Sequence, residues 1–179
     1  MPELKGSKTM ENLAYAFAGE SMARNKYSYF ASAARKEGYE QISAIFAETA
    51  ENEKEHAKLW YKLMMNGVGD TRTNLKLAAE GEHEEWAEMY KEFAAVAREE
   101  GFDAIADQME GVAAIEKTHE ERYLALLENI EKGRVFDRET EQVWVCRNCG
   151  HIHIGAKAPE KCPVCVHPRA YFELRATNY

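Results

Sequence analysis

Proline is scarce where it would matter most. Of the four in 179 residues, Pro2 stands at the N-terminus and Pro159, Pro163 and Pro168 crowd near the C-terminus, so residues 3–158 hold no such helix breaker. Cysteine is missing from the first 145 residues, and the four present, at 146, 149, 162 and 165, fall within the last 34. No apolar run approaches the roughly 20 residues of a membrane-spanning helix. The charged start Met1-Pro2-Glu3-Leu4-Lys5 lacks the apolar core of a secretion signal. The expectation is a soluble, cytoplasmic protein with no membrane partner. Basic residues are also in deficit, 23 against 31 acidic, and a net charge of −8 repels phosphate, which excludes nucleic acid as a partner. No Gly-x-Gly-x-x-Gly fingerprint is present, so a bound dinucleotide is not expected.

What is abundant is helix former. From about Lys8 to Lys132, Ala, Glu, Lys, Leu and Met dominate, with apolar residues three and four apart. Four helices are predicted, at about 8–36, 39–65, 74–100 and 102–131, broken by Gly38, the stretch 66–70 and Gly101, and closed by Gly133. Each has an apolar track: Leu13, Phe17, Ala23, Tyr27 and Ala34; then Ile42, Phe46, Thr49, Trp60 and Leu63; then Leu75, Ala79, Trp86, Phe93 and Ala97; then Ile105, Met109, Val112, Tyr123 and Ile130. The pattern is mainly α, a four-helix bundle. Val143-Trp144-Val145 opens a short β-prone stretch leading into the cysteines. The domain reading is a bundle over 1–134, a linker over 135–142 and a small β-rich metal domain over 143–179.

The bundle repeats itself. Ala34-Arg35-Lys36-Glu37-Gly38-Tyr39 returns 63 residues on as Ala97-Arg98-Glu99-Glu100-Gly101-Phe102, and the same offset lays Glu53-x-x-His56 on Glu116-x-x-His119. Gly19-Glu20 matches Gly81-Glu82 only at an offset of 62, so one extra residue lies between Glu82 and Tyr90. An odd residue inside a helix is commonly absorbed as a π-bulge, and such bulges favour functional sites.

Glu20, Glu53, His56, Glu82, Glu116 and His119 continue the apolar tracks near the middle of each helix. Carboxylates facing one another in a bundle interior must neutralise or bind cations. A Glu from each of two helices plus Glu-x-x-His from each of two others matches the donor pattern of di-iron and di-manganese bundles, and mixed oxygen and imidazole donors suit iron or manganese. Glu85, one turn beyond Glu82, is a surplus donor through which an iron could change partners. Tyr27 and Tyr90 lie one to two turns from the ligand level, where a phenol can hydrogen-bond a ligating carboxylate or serve simply as a core aromatic. His83 reads as part of a solvated polar face. Cys146-x-x-Cys149 and Cys162-Pro-x-Cys165 supply four thiolates on two tight turns, a tetrahedral site for redox-inert zinc or for a single redox-active iron.

With these motifs in place, the sequence resembles the rubrerythrin family over essentially its whole length. The residues that carry the likeness are Glu20, Glu53-x-x-His56, Gly81-Glu82-x-x-Glu85-Trp86, Glu116-x-x-His119, and the rubredoxin-like Cys146, Cys149, Cys162 and Cys165. The resemblance implies a ferritin-like bundle and a non-haem di-iron peroxidase that reduces hydrogen peroxide to water, fed by an Fe(Cys)4 centre, in protection against oxidative stress. It also implies bridging roles for Glu53 and Glu116, terminal roles for Glu20 and Glu82, His119 as ligand to one iron, and exchange of Glu85 for His56 at the other. Zinc is a substitute metal, and the electron donor is an external rubredoxin or NAD(P)H-dependent reductase. The rival reading is a ferritin-class iron-storage or ferroxidase protein with a structural zinc ribbon.

A ferritin-like crossover would have to cover roughly 30 Å along the bundle and about 10 Å sideways. Residues 66–73, fully extended, reach only about 30 Å. The chain is therefore expected to work as a homodimer or higher assembly, domain-swapped by exchange of helical hairpins.

Overall fold

The computed structural model describes residues 3–178. They divide into two compact units, one ending at Gly69 and one beginning at Asp70. The chain is mainly α, its bundle helices arranged as two hairpins, followed by a small three-stranded sheet. No helix of the described residues is long and apolar enough to cross a membrane.

The first unit is a hairpin of α1 (Lys8–Lys36) and α2 (Glu40–Met65). Ser7 caps α1 by accepting from the Met10 N–H at 3.2 Å, satisfying an amide with no partner inside the helix. The reversal into α2 is a Schellman turn: Gly38 takes φ +86°, and the Tyr39 N–H returns to the Ala34 carbonyl at 2.9 Å. The hairpin interior is narrow, with Ala31, Ala34, Ala50 and Ala57 buried along it and Ser43, fully buried, donating its hydroxyl to the Ala31 carbonyl at 2.8 Å.

The second unit repeats this construction with α3 (Thr71–Glu84), a π-helical turn (Glu85–Met89), α4 (Tyr90–Glu99) and α5 (Asp103–Glu131). Its reversal is the same turn 63 residues on: Gly101 takes φ +85° and the Phe102 N–H reaches the Ala97 carbonyl at 2.7 Å. Ala94, Ala97 and Ala106 are buried where the first hairpin buries Ala31, Ala34 and Ser43. The extra residue of the second copy is the π turn, in which the Tyr90 N–H bonds the Glu85 carbonyl, five residues back.

One expectation is qualified and one corrected. Ile42, Leu63, Phe93 and Ile105, expected on apolar core tracks, have 46–56% of their surface exposed in this chain. Small residues line the inside of each hairpin, so these large side chains lie on faces that the hairpin itself does not cover. The stretch 135–142 is not all linker, because β1 (Asp137–Cys146) starts inside it, with Asp137 paired to Lys157 of β2 (Ile152–Lys157) and joined to it by a 2.5 Å ion pair. The sequence of that stretch is polar, and its strand character comes only from the partner strand.

With β3 (Phe172–Leu174) the sheet has the order β2-β1-β3, antiparallel throughout. Its core is Trp144, Cys146, Ala158, Cys162 and Phe172, and Trp144, fully buried, donates its indole N–H to the Gly155 carbonyl at 2.9 Å. A core this small is completed by what the cysteines hold.

Candidate metal centres

Three donor clusters are built among the described residues, each inside one unit. Glu20 from α1 and Glu53 and His56 from α2 bring one donor atom each within 4.8 Å of one another, and Glu82 from α3 with Glu116 and His119 from α5 do the same. One helical turn separates Glu from His in each Glu-x-x-His, which sets both side chains on one face. The resulting contacts match: His56 Nδ1 lies 2.8 Å from Glu53 and 4.0 Å from Glu20, while His119 Nδ1 lies 2.7 Å from Glu116 and 3.7 Å from Glu82. The sequence repeat is therefore a repeat of a Glu-Glu-His triad.

Electrostatics at the second triad favour a cation. Burial, followed by the charge of Glu116, a hydrogen bond to Glu116 and the charge of Glu85, pushes the Glu82 carboxyl above its ordinary range against the opposing pull of His119. A cation among these oxygens would reverse that balance, so the donor set fits a metal. Glu85, half-buried at the head of the π turn, is close enough to act on Glu82. Tyr90 is half-buried at the other end of that turn, and Tyr27 packs its ring against Phe30 and Phe46 at 6.2 Å.

The third cluster joins Cys146, Cys149, Cys162 and Cys165. Each pair sits on a knuckle of the same design. The Gly150 N–H bonds the Cys146 carbonyl at 2.9 Å and the Val166 N–H bonds the Cys162 carbonyl at 3.0 Å, while the Cys146 and Cys162 N–H groups reach back to His151 and His167. Sulfur–sulfur separations of 3.6 Å for Cys146–Cys165 and Cys149–Cys162 are close to the edge of about 3.8 Å expected of a tetrahedron with metal–sulfur bonds near 2.3 Å. The His167 backbone N–H brings the Cys165 thiol down to about 5. At Cys149 the His151 N–H works in the same direction, but hydrogen bonds that its thiol donates to the other sulfurs, together with burial, outweigh it and raise the group to about 12.

The model of the family described as rubrerythrin matches residues 11–127, and that of the rubrerythrin rubredoxin-like domain matches residues 144–173. The chain belongs to the rubrerythrin family. It is 51% identical over 188 residues to the rubrerythrin of Porphyromonas gingivalis, covering 98% of this chain and 94% of that one. Identity to the rubrerythrin of Nitratidesulfovibrio vulgaris is 49% over the whole of both chains, and to nigerythrin of the same organism 36%, covering 92% of this chain and 85% of the other. Rubrerythrins are peroxidases, and the carboxylate–histidine and four-cysteine clusters of this chain are the groups that their chemistry uses. The fold class is that of the family, a ferritin-like bundle with a rubredoxin-like appendage.

A polar group stands beside the second triad. His83 is exposed, as expected of a polar face, and its Nδ1 lies 3.0 Å from Glu120 while its ring stands edge-on to Trp86 at 5.2 Å. Trp86, assigned to a core track, is half-buried and donates its indole N–H to Glu120 at 2.5 Å. That bond, with His83 and Lys117, holds the Glu120 carboxyl below the ordinary range although burial opposes it. The available signal was the repeat, because the position of Glu120 is occupied by Ala57 in the first copy.

Proposed function

We propose that this chain reduces hydrogen peroxide to water at a di-iron centre completed by both kinds of half-site, with electrons delivered one at a time through iron held by Cys146, Cys149, Cys162 and Cys165. The observation that carries the reading is the matched pair of Glu-Glu-His triads. When bound, two ferrous ions each supply one of the two electrons that cleave the O–O bond. In this reading Glu53 and Glu116 would be shared by both irons, Glu20 and Glu82 would each hold one, His119 would serve one iron, and Glu85 and His56 would alternate on the other. Two protons are consumed as peroxide becomes two waters. Tyr27 and Tyr90 would donate phenol hydrogen bonds to ligating carboxylates and fix their orientation.

The sulfur shell suits iron or zinc equally in geometry, and we assign iron because only iron cycles electrons. Thiols kept as ligands rather than disulfides accord with a reducing cytoplasm. The donor is a rubredoxin or an NAD(P)H-dependent reductase. We further propose a homodimer in which hairpins are exchanged, because Ile42, Leu63, Phe93 and Ile105 call for a cover and each hairpin holds half of a six-donor site.

The experiment is a peroxide titration of protein reduced without oxygen. Oxidation by about one peroxide per di-iron pair, restored over many cycles by added reductase, is the expected result. A single oxidation without turnover, with iron instead accumulating in the protein, would favour storage.

A further inference from the structure

The hydrogen-bonded group His83, Trp86 and Glu120 has no part in the reading above, yet each of its members follows a ligand or ligand candidate by one residue: Glu82, Glu85 and His119. Trp86 lies inside the π turn and is held from three helices. His83 of α3 stands edge-on to its ring, Glu120 of α5 accepts its N–H at 2.5 Å, and the ammonium groups of Lys91 in α4 and Lys117 in α5 each lie 5.4 Å from the ring centre.

The first hairpin is an internal control. At the positions of His83 and Glu120 it carries Ser21 and Ala57, and α1 contains no tryptophan to match Trp86. Ser21 spends its hydroxyl on the Phe17 carbonyl, and α1 runs without a π turn from Lys8 to Lys36. The clamp and the π turn thus occur together and are absent together.

An extra residue does not by itself choose where a helix bulges. Anywhere between Glu82 and Tyr90 would restore the register, and each step of the bulge along the chain rotates the residue it passes by about 100°. Moving the bulge ahead of Glu85 sets that carboxylate on a different side of the helix, whereas moving it toward the C-terminus turns Trp86 and the residues it passes instead. A tryptophan tied to α5 removes this freedom.

We propose that Glu120 is a positioning residue: by accepting the Trp86 indole N–H and bracing His83, it fixes the π turn at Glu85–Met89 and keeps Glu85 on the side of the Glu82–Glu116–His119 triad. The inference rests on the reading of Glu85 as an exchangeable ligand, and its test separates the two.

Amide hydrogen exchange is measured on metal-free full-length protein for the wild type, Glu120→Leu, Trp86→Phe and Glu120→Gln. Exchange at residues 85–90 is expected to rise at least tenfold in Glu120→Leu and Trp86→Phe, while α1, α2 and the sheet stay as they are. Glu120→Gln, which still offers an acceptor to Trp86, restores wild-type exchange. Cobalt(II) is then titrated by calorimetry into each protein with zinc already in the cysteine site. Glu120→Leu is expected to weaken cobalt binding to the same extent as Glu85→Gln, and Glu120→Gln is not. Unchanged exchange at 85–90 in both disrupting variants overturns the proposal, as does faster exchange with cobalt affinity intact in Glu120→Leu but reduced in Glu85→Gln. Were Glu85→Gln itself to bind cobalt like the wild type, the ligand reading would fail on its own and take with it the positioning of Glu85.

Discussion

Glu82 faces Glu116 across the second hairpin, and burial together with that neighbour's charge and hydrogen bond raises the Glu82 carboxyl out of its ordinary range. Such a group binds its proton more tightly in the folded chain than in the unfolded one. Metal-free protein should therefore lose stability as pH rises from the unfolded carboxylate value through the raised one. Glu82→Gln removes that loss. Urea midpoints of metal-free protein should be higher for the variant at pH 7 and indistinguishable at pH 4. An equal offset at both values would mean that the substitution acts through packing and not through charge.

Replacing Glu53 or Glu116 with Ala should abolish peroxide turnover, a loss of at least about a thousandfold if each carboxylate serves both metal ions. The iron–sulfur absorption of the cysteine site should be untouched, because its knuckles close within the sheet unit. Steady-state peroxidase assays beside visible spectra decide this, and wild-type turnover in either variant would remove it from the site.

Val166 occupies in the second knuckle the place that Gly150 takes in the first, and it does so at φ +61°, a left-handed conformation that a β-branched residue adopts only under strain. Its side chain is 69% exposed, so little packing is at stake. Val166→Gly should stabilise the metal-loaded sheet unit by about 1 kcal/mol. Slower loss of metal to a chelator in guanidinium is the measurement, and faster loss would show that the valine contributes contacts that outweigh its strain.

If hairpins are exchanged, as proposed, each site is the joint property of two chains. A chain with Cys146→Ser and a chain with Glu53→Ala, each inactive alone, should recover part of the peroxidase activity when refolded together. Mixtures as inactive as their components would confine both the site and its electron supply to one chain.

Ser43 is the buried polar residue that joins the helices of the first hairpin, and at its position in the second copy stands Ala106, also buried. Ser43→Ala should cost about 1 kcal/mol, the net worth of its hydrogen bond to Ala31. Chemical denaturation measures it, and a neutral outcome would mean that the Ala31 carbonyl is satisfied by its helix alone.

The sequence by itself determined a good deal about this protein. The repeat of Ala-Arg-x-Glu-Gly, the two Glu-x-x-His pairs and the paired Cys-x-x-Cys motifs set residue types at spacings where helix and turn geometry leave one arrangement of neighbours, so the Glu–His pairs and the sulfur cluster were legible as local facts. The mismatch of offsets likewise announced the extra residue, since counting residues needs no tertiary information. What only the tertiary structure decided depends on groups remote in sequence. It decided that the bulge is a π turn at Glu85–Met89, that Trp86 and His83 meet Glu120 more than thirty positions away, that polar residues from Asp137 onward form a strand because Lys157 is opposite, and that alanine rather than Ile42 or Phe93 lines each hairpin. Periodicity shows that a face is apolar. Which surface covers that face is settled by packing, because the burial of a side chain belongs to the pair of surfaces and not to either one.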